Sequence, residues 1–123
     1  MSWSNIYKVA SAQVLSAGSN SFTSSEFESQ RNGDERGAIQ CNFTSAPGAT
    51  TGTVFLEARM TPDGAWAPCY LPDGTRIEAD LANINALSSA VLAVDAPMLP
   101  YMRLRSTDAT PTNACTLDLW VVL

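Results

Sequence analysis

The chain contains no histidine, which removes Ser-His-Asp and Cys-His catalysis together with the commonest transition-metal ligand. Lysine occurs once, at Lys8, among strand-like residues where a solvated surface charge is the simplest reading. No glycine-rich phosphate loop and no DxDxDG calcium run is present. Cys41, Cys69 and Cys115 are odd in number, lie far apart and form no CxxC pair, so they read as buried free thiols. Neither a metal nor a cofactor is expected.

Carboxylate pairs remain as candidate acid/base groups: Glu26 with Glu28, Asp34 with Glu35, and Glu78 with Asp80. Spaced by two on a strand, Glu26 and Glu28, or Glu78 and Asp80, share one face, and a solvated outer face accounts for them. Asp63 and Asp73 follow prolines in Pro-Asp-Gly turns, where a short carboxylate caps backbone amides. No enzymatic activity is expected.

Basic residues are also few. Seven Lys and Arg stand against twelve Asp and Glu, for a net charge of −5, and the arginines are scattered along the chain. Phosphate neutralisation and anionic lipid binding both need basic clusters, so neither nucleic acid nor a membrane is an expected partner. The start of the chain, Met1 to Lys8, lacks the basic, apolar and small-residue segments of a secretory signal. Synthesis and folding in the cytoplasm, without secretion, are the expectation, and the sequon at Asn42-Phe43-Thr44 then reads as chance.

What the chain has is alternation. Its 123 residues are 46% hydrophobic with a mean hydropathy near zero, enough for one core and without a membrane-length apolar run. Thr53 to Met60 places Val54, Leu56, Ala58 and Met60 opposite Thr53, Phe55, Glu57 and Arg59, and Cys115 to Leu123 alternates likewise. Tyr101 to Ser106 and Gly37 to Phe43 follow the same rule. Weaker strands are expected at Ile6–Leu15, Phe22–Ser29, Trp66–Leu71, Arg76–Leu81 and Ala90–Val94, and Asp80–Val94 carries a stripe that allows one short helix.

Turn chemistry agrees with strands. Pro62-Asp63-Gly64 and Pro72-Asp73-Gly74 bracket the Trp66 segment, Asn32-Gly33 marks a hairpin, and Ser45 to Gly52 has loop composition. Turns at this spacing point to an all-β antiparallel sandwich, jelly-roll-like or Ig-like, of about eight strands. No linker divides it, so residues 1–123 form one expected domain, with residues 1–7 as an extended N-terminal arm.

The candidate functional residues are aromatic and apolar side chains off the core faces: Trp3, Ile6, Tyr7, Phe55, Trp66 and Trp120. If the strands of Phe55 and Trp120 adjoin, the two rings form an outward cluster; otherwise a loop or the N-terminal arm covers them.

Three stretches, Thr53 to Trp66, Leu99 to Arg105 and Cys115 to Leu123, together resemble small β-sandwich accessory proteins of tailed-bacteriophage virions. The shared pattern is a strand ending in an Asp-Gly turn followed by Trp, a later Tyr-x-Arg strand, and a final alternating strand. The resemblance covers Gly52 to Leu123 and implies a decoration or cement protein on the capsid surface. Its implied partners are the major capsid protein or another virion protein, with self-association as a dimer or trimer. The alternatives are a neck or tail accessory protein, or a carbohydrate- or receptor-binding sandwich using Trp66 with Asp63, or Trp120 with Arg103 or Arg105.

Overall fold

The computed structural model describes residues 6–28, 37–45, 47–87, 89–94 and 100–122. In chain order its elements are β1 (Ile6–Leu15), β2 (Asn20–Thr23), β3 (Phe27–Glu28), β4 (Gly37–Phe43), β5 (Thr50–Thr51), β6 (Thr53–Arg59), β7 (Ala67–Pro68), β8 (Glu78–Asp80), α1 (Leu81–Leu87), β9 (Ser89–Val94), β10 (Tyr101–Pro111) and β11 (Cys115–Val122). The fold is all-β: two antiparallel sheets packed as a sandwich. One sheet runs β1-β11-β4-β9; the other runs β2-β10-β6-β7, with β3 and β5 also on β10 and β8 on β6.

The described strands number eleven rather than about eight: one expected segment divides in two, two others shorten, and Thr50–Thr51, in the stretch of loop composition, forms an additional short strand. Phe22–Ser29 divides where Ser24 turns its amide to the Leu104 carbonyl and Ser25 turns its amide to the Val9 carbonyl, leaving β2 and β3 on either side. The Trp66–Leu71 segment keeps only Ala67–Pro68 as strand, and Arg76–Leu81 keeps Glu78–Asp80. The helix begins where the Asp80 carboxylate accepts the Ala82 amide at 3.0 Å, an N-cap that buries Leu81 and Ile84, three apart, on the core side.

Alternation is what builds the core. Val54, Leu56 and Ala58 from β6 and Met102 and Leu104 from β10 meet Ile39, Cys41 and Phe43 from β4 and Leu117, Leu119 and Val121 from β11 in one buried cluster. Leu104, Leu117 and Leu119 are wholly inaccessible to solvent. Each such side chain contributes about 1.5–3 kcal/mol through its removal from water.

Strand β10 runs on to Pro111, well past Ser106, because β5 and β6 follow it in succession along one edge. Between them Gly52 takes φ +105° with its backbone against Asp108; a Cβ there would lie 2.3 Å from the Asp108 carbonyl oxygen. The Asp108 carboxylate accepts the Thr53 amide at 3.1 Å, so the loop-like sequence Thr107-Asp108-Ala109 is held as strand by its neighbours.

The two Pro-Asp-Gly turns form. Gly64 donates its amide to the Thr61 carbonyl, and Gly74, at φ +91°, donates to Leu71. Asp73 accepts the Thr75 amide at 2.9 Å, a bond that lowers its carboxyl below the ordinary value. The Asn32-Gly33 hairpin and the N-terminal residues 1–5, including Trp3, lie outside the described residues.

Candidate functional site: an arginine and aromatic face

The pairing of β6 with β10 sets Tyr101 opposite Arg59, Arg103 opposite Glu57 and Arg105 opposite Phe55. These six share the face turned away from the core. The antiparallel register makes each a cross-strand pair close enough for side chains to meet.

Glu57 is the centre of this face, and its carboxylate is buried. Arg103 Nε donates to Glu57 Oε1 at 2.8 Å, and Arg105 lies 3.6 Å from the other carboxylate oxygen. Trp66, carried by the segment after the first Pro-Asp-Gly turn, lays its ring 4.3 Å from the Arg103 guanidinium carbon and 4.5 Å from that of Arg59. Arg59 in turn binds both oxygens of Glu26, at 3.1 and 3.2 Å, and stands 6.0 Å from the Tyr101 ring. Each guanidinium is therefore fixed by a carboxylate, a ring or both.

Arg59, Arg76, Arg103 and Arg105, four of the chain's seven Lys and Arg, meet on this one sheet. The scattered arginines of the sequence are thus gathered by strand order. Their carboxylate partners Glu26, Glu57 and Glu78 nearly balance them, giving a structured face of alternating charge rather than a broad basic patch. Glu26 and Glu78 are engaged by arginine, and Asp34 and Glu35 lie outside the described residues. Among the described residues no three His, Cys, Asp or Glu side chains gather as a metal site.

The strands of Phe55 and Trp120 do not adjoin, so the outward cluster that would have followed from their adjacency does not form. Phe55 is 5% exposed, with the Arg76 guanidinium 4.2 Å above its ring, because β8 and the residue bridge Tyr70–Arg76 run along the free edge of β6 and lay Arg76 across it. Trp120 belongs to β11 in the opposite sheet, so it meets neither Phe55 nor Arg103 nor Arg105. Its ring lies 5.1 Å from Lys8 Nζ, which also pairs with Asp118 at 3.3 Å. Ile6 and Tyr7, on β1, are 57% and 37% exposed.

The residues that sequence reasoning missed are Glu57 and the four arginines as a group. Their alternation with Phe55 and Tyr101 was visible; the adjacency of β6 and β10 was not.

The three thiols are free, and burial is the main influence on each. It pushes Cys41 up to about 12 and, with nearby Glu57 adding to it, Cys69 up to about 11; Cys115 is also raised. Thiolate, the reactive form, is scarce at neutral pH under these conditions. Compared with protein-family models and with curated protein sequences, the chain matches none.

Proposed function

We propose that the protein is a structural virion subunit, a decoration or cement protein that binds the outer surface of a phage capsid and cross-links its major capsid subunits. The observation that carries this reading is the arginine and aromatic face of β6 and β10. Trp, Tyr and Arg supply most of the binding energy at protein interfaces, and here Trp66, Tyr101, Arg59, Arg103 and Arg105 stand together. Salt bridges to Glu57 and Glu26 hold the arginines in place before a partner arrives, which lowers the ordering cost of docking.

The resemblance to phage accessory proteins bears on the same residues. Two of the three stretches that carry it, Thr53 to Trp66 and Leu99 to Arg105, contribute this face. A subunit folded in the host cytoplasm would then join the assembled shell, and contacts repeated by capsid symmetry make many weak bonds collectively strong. Dimers or trimers of the subunit would sit at symmetry axes.

Cryo-microscopy of virions that carry the protein tests the reading. The expected density lies over junctions between major capsid subunits, with the β6–β10 face against the shell, and Arg103→Ala with Trp66→Ala should empty those positions. Density at the neck or tail would favour the accessory alternative; full occupancy by the double variant would rule out docking by this face.

A further inference from the structure

A cleft of about 600 Å³ opens at the seam between the two sheets, beside the arginine face, with which it shares Glu26 and Tyr101. Tyr7 and Lys8 of β1 line it from one sheet; Glu28 of β3 and Tyr101 of β10 line it from the other, with Glu26 beside them. The seam is closed by a backbone bond, Ser25 amide to Val9 carbonyl at 2.8 Å, and the buried residues Val9 and Phe27 make the apolar part of the lining. The cavity falls within the roughly 300–1,000 Å³ range of small-ligand sites.

We propose that this cleft binds a short neutral oligosaccharide. Tyr7 and Tyr101 line the cleft, and a phenol ring can offer its apolar surface to the C–H face of a pyranose while its hydroxyl donates and accepts. Carboxylate oxygens accept from adjacent sugar hydroxyls, and Glu26 and Glu28 place such acceptors on the cleft wall.

The charges choose between ligand classes. Glu26 is already paired with Arg59, and Lys8 with Asp118, so neither offers its full charge to an ion. Two carboxylates beside one engaged ammonium disfavour phosphates and acidic sugars. The neutralisation of Glu26 removes much of the attraction that a basic peptide would need. An uncharged polyhydroxylated ligand satisfies the rings and the acceptors together. This inference does not rest on the capsid reading.

The test is a glycan array probed with the full chain, followed by NMR titration with maltotriose, cellotriose, chitotriose and any neutral array hit. Neutral glycans should bind, and Tyr7→Ala and Glu28→Gln should each weaken binding about tenfold, the effect of losing one well-placed contact. Tyr70→Ala, an exposed aromatic on the segment between β7 and β8, serves as control and should bind as the parent does. Thermal melts confirm that each variant is folded. Absence of binding to every neutral glycan, binding of acidic glycans or basic peptides alone, or affinity unchanged by both cleft variants would overturn the proposal. Shell occupancy is read in a separate experiment, so failure of one reading leaves the other standing.

Discussion

Arg103 reaches across from β10 to Glu57 on β6, its Nε 2.8 Å from a carboxylate oxygen that the fold has removed from solvent. The glutamate side chain is 5% exposed and the arginine 22%, so the carboxylate is desolvated and the guanidinium keeps one side toward water. A buried carboxylate is costly unless paired, and this one is paired twice, since Arg105 approaches its second oxygen. The arginines consequently cannot be exchanged for neutral residues without stranding Glu57. Stability and the proposed docking chemistry share the same groups.

The first prediction follows from that coupling. Arg103→Ala leaves Glu57 with the longer Arg105 contact alone and should cost about 2–3 kcal/mol, less than the roughly 3–5 kcal/mol of a fully buried pair because Arg103 is partly solvated. Combining it with Glu57→Gln should restore part of that loss, since the stranded charge goes with its partner. A double-mutant cycle from urea unfolding should show coupling of about 1–2 kcal/mol. Additive losses would mean that the two side chains act independently.

Gly52 gives a test of the backbone. Its φ of +105° is a region that side chains rarely adopt, and a Cβ would fall 2.3 Å from the Asp108 carbonyl oxygen and 2.8 Å from its carbon. The obstacle is backbone on the central strand β10, which cannot move aside cheaply. Gly52→Ala should therefore lose roughly 3 kcal/mol or more, while Gly18→Ala, equally left-handed at φ +102° but with open space around it, should lose only about 1–2 kcal/mol. Similar melting temperatures for the two variants would contradict the close approach.

The limits of legibility in the sequence follow the same division between local and distant information. Gly37–Phe43 and Ile6–Leu15 were readable because strand alternation is a local property, and both strands have those bounds. Phe55 lies on the off-core face, as alternation indicates, but what covers it was not legible, because alternation assumes one wet face. In β6 every residue from Val54 to Ala58 is buried, the second face being covered by Arg76, Trp66 and the strands along its edge. Arg59, Arg103 and Arg105 looked scattered because the pairing of β6 with β10 spans more than forty positions and depends on strand order, which composition does not encode. Trp120 was legible as an off-core ring, but its sheet was not.

Thiol chemistry supplies a third prediction. With Cys41 held near 12 and Cys69 near 11, the native protein should react negligibly with iodoacetamide at pH 7, whereas unfolded protein should take up three carbamidomethyl groups. Raising the pH toward 10 should label Cys69 before Cys41, because its thiol is the less strongly raised. Intact mass spectrometry with peptide mapping reads both results. Rapid labelling of Cys41 at neutral pH would show that β4 opens on the timescale of the reaction.

Asp118 provides a pH test of the strand that carries Tyr7 and Lys8. Strand β1 bulges against β11, with Ala12 at φ +50°, and the Asp118 carboxylate holds that bulge by accepting the Ala12 amide at 2.7 Å. The Ala12 amide is the main influence lowering the Asp118 carboxyl below its ordinary value of 3.8, and Lys8 adds to it. A carboxyl lowered in the folded state binds its proton more readily when unfolded, so its contribution is complete above 3.8 and disappears as pH falls through the lower folded value. Asp118→Asn keeps an acceptor for the amide but loses the charge. The stability difference between the parent and Asp118→Asn should thus be constant above about pH 5 and shrink steadily toward pH 2. Asp73, lowered by its own turn, titrates alike in both proteins and cancels from that difference. Urea unfolding across this range measures it, and a difference that grows on acidification would reverse the sign assigned to the Ala12 bond.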